Sequence, residues 1–314
     1  MLFSQHLQNR KGVWSPMKTA FYNNSPVCLV LIAMLILSSC AVTAGHGERP
    51  MTATVASADG SPIRYSVRGT GEPALVFVHC WTCNHTFWNA QIDYFSRNHQ
   101  VIWLDLAGHG ESGSHRQRYT MPAFGEDVAA VVRQVGARKV ILIGHSMGGP
   151  VVVEAAKQLG DRVVGVVGVD TFYTPFEYPE SPEEIAAFVK PFETDFHGTS
   201  DQMLHSMFVP QADPIVVEAI VGKFSAADPK VGVSALYELF DWNAHQAPRD
   251  LKRFADKLYN INAAPTGKGS AANAHVVMVP DVGHFVAQVK PQAFNQALEG
   301  IIAALGYAGD RVTP

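Results

Sequence analysis

The sequence predicts an α/β protein: a mostly parallel sheet of eight strands, helices on both faces, and a helical cap inserted before the last two strands. Three observations carry this. Residues 74–78, 101–104, 140–143 and 163–169 are continuous apolar runs, the pattern of strands buried on both faces of a parallel sheet. Helix-like segments at 86–97, 121–135 and 150–159 separate them, so each strand returns through a helix. Residues 172–248 then break the alternation with Pro- and Glu-rich turns and several helical patterns, but no buried strand.

Taken in order, residues 1–39 read as an export signal of the lipoprotein type. Arg10, Lys11 and Lys18 precede 27–37, an uncharged apolar run of eleven residues that is short for a membrane span and fits a signal h-region. Met17-Lys18-Thr19 is a more typical start for such a segment than Met1. Leu37-Ser38-Ser39-Cys40 resembles the bacterial lipobox, which implies lipidation of Cys40 and a membrane anchor facing the periplasm or exterior. Ala41 supplies no acidic inner-membrane retention signal, which favours the outer membrane in a host that has two. Cleavage after Val42-Thr43-Ala44, giving a soluble secreted protein, and an uncleaved anchor are the alternatives. Residues 40–50 form a polar tether.

Residues 52–57 and 62–68 alternate about Ala58-Asp59-Gly60-Ser61 and read as a hairpin. Two later strands fall at 257–261 and 275–279. An amphipathic helix over 291–305 closes the chain, with Phe294, Leu298, Ile301, Ile302 and Leu305 on one face. The core thus comprises 51–171 and 249–314, and the cap 172–248. Helical patterns in the cap fall at 181–189, 201–208, 214–224 and 231–239. Of its apolar side chains Phe192, Met203, Met207, Phe208, Phe224, Phe240 and Trp242, most read as cap core and a minority as pocket lining.

The most informative run is Gly144-His145-Ser146-Met147-Gly148-Gly149, set between a strand pattern and a helix pattern. Strand, G-x-S-x-G, helix is the context of a nucleophile elbow. The turn is tight enough to want glycine two residues either side of the serine. The following backbone N–H opens a helix and can face a developing oxyanion.

Three further motifs occur with it. Val78-His79-Cys80-Trp81 follows the third strand, Asp105-Leu106-Ala107-Gly108-His109-Gly110-Glu111-Ser112 follows the fourth, and Val282-Gly283-His284-Phe285 follows the last. In this order they resemble the α/β-hydrolase superfamily over nearly all of the chain beyond residue 50. The resemblance implies Ser146 as nucleophile, His284 as general base, and the backbone N–H groups of Trp81 and Met147 as an oxyanion hole. His79, His109 and His145 then shape turns. Cys80 departs from the glycine usual in its turn. The orienting carboxylate is missing from its commonest place after the seventh strand, where residues 258–266 hold no Asp or Glu. The alternative place, after the sixth strand, holds Asp170; Asp256 is a weaker candidate, Asp281, three residues before His284, reads as shaping its turn, and Asp105 reads as ordering the G-H-G loop.

Composition is that of a globular protein: 47% hydrophobic, 17% charged, net charge −4, with nothing that suggests nucleic acid as partner. Cys80 and Cys83 are the only cysteines beyond Cys40, so one disulfide or two free thiols are both open, and C-x-x-C without a second pair disfavours zinc. The expected activity is hydrolysis of carboxylic esters or lactones, with no metal or organic cofactor and a small-molecule ester as partner. A C–C or amide hydrolase, a cofactor-free haloperoxidase of the same fold, and an inactive binding protein remain the alternatives.

Overall fold

In the computed structural model, residues 49–174, 176–224, 228–264 and 275–307 are described. The expectations for residues 1–48, the export signal and Cys40 included, lie outside them. β1 (Met51–Ala56) and β2 (Pro62–Arg68) form the antiparallel hairpin, with Met51 opposite Val67 and Ala56 opposite Pro62. β3 (Ala74–Val78), β4 (Val101–Leu104), β5 (Val140–His145), β6 (Val163–Val169), β7 (Leu258–Ala263) and β8 (Val276–Val279) complete one eight-stranded sheet of order β1-β2-β4-β3-β5-β6-β7-β8. Every pairing from β4 to β8 is parallel, and β2 joins β4 antiparallel.

Successive strand residues point to opposite faces, so each buried strand feeds two cores. Val76, Val78, Leu104 and Leu142 pack under α2 (Met121–Val135) and α3 (Gly148–Leu159). Leu75, Phe77, Ile141 and Val169 pack under α1 (Asn89–Phe95) and the terminal helix Pro291–Ala304. The helix expected over 86–97 is divided: Asn84 caps a 3₁₀ turn at His85–Trp88, and α1 starts only after it. α2 begins where Thr120 accepts from the Ala123 amide and stops at Gly136, whose φ of 77° suits glycine.

Between β6 and β7 the described residues form helices and no strand: α4 (Pro182–Thr194), α5 (Phe196–Ser206), α6 (Pro214–Phe224), α7 (Pro229–His245) and α8 (Ala247–Arg253). Ser181 and Glu184 form a capping box at α4, and Asp228 caps α7 ahead of Pro229. α5 begins five residues before the pattern indicated, because Asp195 accepts from the Gly198 amide and starts it there. α8 runs through the expected boundary at 248. The chain then returns through α9 (Val286–Val289) to α10 (Pro291–Ala304).

Because the strands from β4 to β8 are parallel, the segments after β3, β4, β5, β6 and β8 all emerge at one edge of the sheet. This is where ligand sites form in open α/β sheets. The four motifs and Asp170 therefore lie at one rim, beneath α4 to α7.

Candidate active site

Ser146 follows β5 directly and has φ 53°, a left-handed conformation rare for a serine. Its amide donates to the Val169 carbonyl (2.9 Å) and its carbonyl accepts from Gly149 (2.8 Å), so the elbow is pinned on both sides. A Cβ on Gly144 would run into the Gly148 carbonyl, and one on Gly148 would lie 2.8 Å from the carbonyls of Val78 and His79. The glycines are thus required by backbone crossing backbone.

Asp170 occupies the equivalent place one strand over, after β6, and is also left-handed at φ 43°. Its amide donates to Ile261 (3.0 Å), and its Oδ1 accepts from the Ala263 amide (2.8 Å). Its Oδ2 lies 2.7 Å from His284 Nδ1. An ionised carboxylate only accepts, so Nδ1 carries the proton and Nε2 keeps its lone pair. His284 is further held through its backbone: its amide donates to the Met207 carbonyl (2.9 Å), and its carbonyl accepts from His145 Nε2 (2.9 Å). Ser146, Asp170 and His284 line one cavity. No hydrogen bond among the described residues yet joins the Ser146 hydroxyl to His284, a link that in unliganded sites often forms only around substrate.

The other carboxylates lie elsewhere. Asp105 is buried and accepts from the amides of His85 (2.7 Å) and Glu111 (2.8 Å), which orders the G-H-G loop. Asp256 lies in a 3₁₀ turn before β7, and Asp281 makes no hydrogen bond to His284 among the described residues. The buried histidines shape turns. His79 accepts from the Leu106 amide and donates to the Cys80 carbonyl, and His109 donates to the Ala107 carbonyl. Burial holds all three neutral: His79 is pushed down, His109 to about 3, and His145 well below its ordinary value.

Cys80 and Cys83 are joined in a disulfide, their Cα atoms 5.1 Å apart, so Trp81 is bracketed by its two halves. The Trp81 amide makes no backbone hydrogen bond among the described residues, and neither does that of Met147 outside the helix it precedes. Trp81 lines the cavity, whereas Met147 is wholly buried beneath the elbow. The Trp81 indole reaches away into the cap: Nε1 donates to the Gly232 carbonyl of α7 (2.8 Å), and the ring meets Phe192 and Phe196 edge-on at 5.7 Å.

The cavity has a volume of about 700 Å³ and is mostly apolar. The division expected for the cap side chains is reversed here. Met203, Met207, Phe208, Phe224 and Phe240 line the cavity, while Phe192 and Trp242 are packed into the cap core. The residue that sequence reading missed is Tyr178, in the irregular stretch before α4, whose hydroxyl is a polar group on this wall.

Residues 73–252 match the family model described as alpha/beta hydrolase fold. The chain belongs to that family. It is 36% identical over 96 residues to a non-heme haloperoxidase of Rhodococcus erythropolis, covering 30% of this chain and 35% of that one. It is 29% identical over 144 residues to a pimeloyl-[acyl-carrier protein] methyl ester esterase of Yersinia enterocolitica, covering 45% and 54%. The matched stretch thus spans about a third to a half of these curated relatives' own length. The structure of a thermophilic esterase from Thermogutta terrifontis superposes with a TM-score of 0.66 at 22% identity, covering 82% of this chain and 99% of that one. At that identity the likeness establishes the fold.

Proposed function

We propose that the protein is an exported serine hydrolase that cleaves carboxylic esters or lactones through an acyl-enzyme on Ser146. The observation that carries this reading is the 2.7 Å hydrogen bond between Asp170 and His284 Nδ1, in the same cavity as Ser146. It leaves Nε2 free to accept a proton. Esterases among the relatives and structural neighbours support the reaction class.

In this mechanism the Ser146 oxygen attacks the ester carbonyl while its proton passes to His284 Nε2. The tetrahedral oxyanion is met by the amides of Trp81 and Met147. Asp170 stabilises the imidazolium, which returns the proton to the departing alkoxide. Water then attacks the acyl carbonyl, giving a proton to His284, and collapse releases the acid as His284 returns that proton to the Ser146 oxygen. A fluorophosphonate probe tests the first step: it labels the wild type and not Ser146→Ala. Equal labelling of both removes Ser146 from the reaction.

A further inference from the structure

Four aromatic side chains form a closed circuit on the cap side of the cavity. Phe176 meets Tyr178 at 4.8 Å and 81°, Tyr178 meets Phe240 at 6.0 Å and 62°, Phe240 meets Phe188 at 4.7 Å and 75°, and Phe188 meets Phe176 at 6.3 Å and 88°. Each ring is thus edge-on to its two neighbours, a geometry favoured by the ring quadrupole. All four line the cavity that holds Ser146 and His284. The arrangement joins two parts of the chain, the irregular stretch before α4 and the helices α4 and α7, into one aromatic wall.

One oxygen interrupts this wall. The Tyr178 hydroxyl pairs with the side chain of Thr174, and burial and the negative charge of Asp170 push its pKa up to about 12. It is therefore a phenol, not a phenolate, able to donate as well as accept. In a mostly apolar cavity a phenol proton that meets an acceptor on the ligand gains a hydrogen bond, so a ligand that brings one is favoured over one that does not. Among the described lining residues there is no Lys or Arg to balance a bound anion, and Asp170 is itself an anion.

We propose that this quartet is the subsite for the larger half of the substrate, and that Tyr178 selects a neutral aromatic ester bearing an oxygen acceptor on its ring. This rests on the ester-hydrolase reading above and adds to it a substrate class and a specificity-determining residue. The rings present edges and faces to a flat guest, and the Tyr178 proton fixes its orientation.

The test compares wild type with Tyr178→Phe on matched esters. The substrates are the methyl esters of 2-, 3- and 4-methoxyphenylacetic acid, the corresponding benzyl acetates, and their counterparts with ethyl in place of methoxy, which keep the shape and lose the acceptor. For at least one ring position the wild type shows a kcat/KM about two- to tenfold higher for methoxy than for ethyl, the range of one hydrogen bond. In Tyr178→Phe that ratio falls to about one. A general loosening of the fold would lower both members of a pair and leave the ratio. Equal methoxy-to-ethyl ratios in the two proteins at every position, with Ser146 still labelled by fluorophosphonate, overturn the subsite and leave the hydrolase reading standing. Failure of the wild type to be labelled overturns both.

Discussion

Asp170 and Ser146 share a left-handed backbone, and each ends a strand that pairs with the other's. That pairing makes Asp170→Asn informative. Asparagine tolerates this conformation, and its side-chain oxygen can still accept from Ala263, so the fold is expected to stand. The amide would then face His284 Nδ1 as a donor and drive the imidazole proton to Nε2, where a base is needed. Turnover is expected to fall by roughly three to four orders of magnitude with little change in melting temperature. Steady-state kinetics beside thermal unfolding checks it; near-normal turnover would move the orienting role to another carboxylate. Asp170 was legible in the sequence because residues 258–266 hold no acid and a carboxylate follows an apolar strand at a rim. Tyr178 was not. It sits in irregular backbone between prolines, where no periodicity announces which side chain turns inward.

The Trp81 turn connects two elements, the end of β3 and the cap helix α7. Its disulfide closes so short a loop that removing it costs only roughly 2 kcal/mol of chain entropy. The bond also brackets the Trp81 amide between its two halves. The double variant Cys80→Ser/Cys83→Ser is expected to stay folded and to lose about tenfold in kcat with KM little changed, as an oxyanion donor drifts. Equal falls in stability and activity would mean the bond serves the fold alone. Most core elements could be read from the sequence because burial on both faces leaves unbroken apolar runs. The cap was harder. Its helices start at polar caps such as Asp195, and Gly198, Thr199 and Ser200 near the start of α5 carry little helical preference of their own.

At the scale of the molecule, three buried neutral histidines make the fold sensitive to acid. His109 titrates near 6.5 when exposed and near 3 when folded, so between these values the unfolded chain binds the extra proton. Stability is therefore full above about pH 6.5 and is lost as pH falls toward 3. His79 and His145 act in the same direction. Melting temperature is expected to drop steadily on acidification through this window, and His109→Gln to flatten the slope; an unchanged slope would assign the effect to other groups. Outside the described residues, the lipobox-like run predicts that Cys40→Ala moves the protein from membrane to soluble fractions, and unchanged fractionation would defeat the anchor. The two ties that bind cap to chemistry, Trp81 Nε1 to Gly232 and the His284 amide to Met207, carry a last consequence. Much of the cavity wall comes from one contiguous insertion, so transplanting that insertion from a relative looks like a simple way to redirect selectivity. A graft that fails to offer a carbonyl at both places would deliver a new pocket over idle machinery.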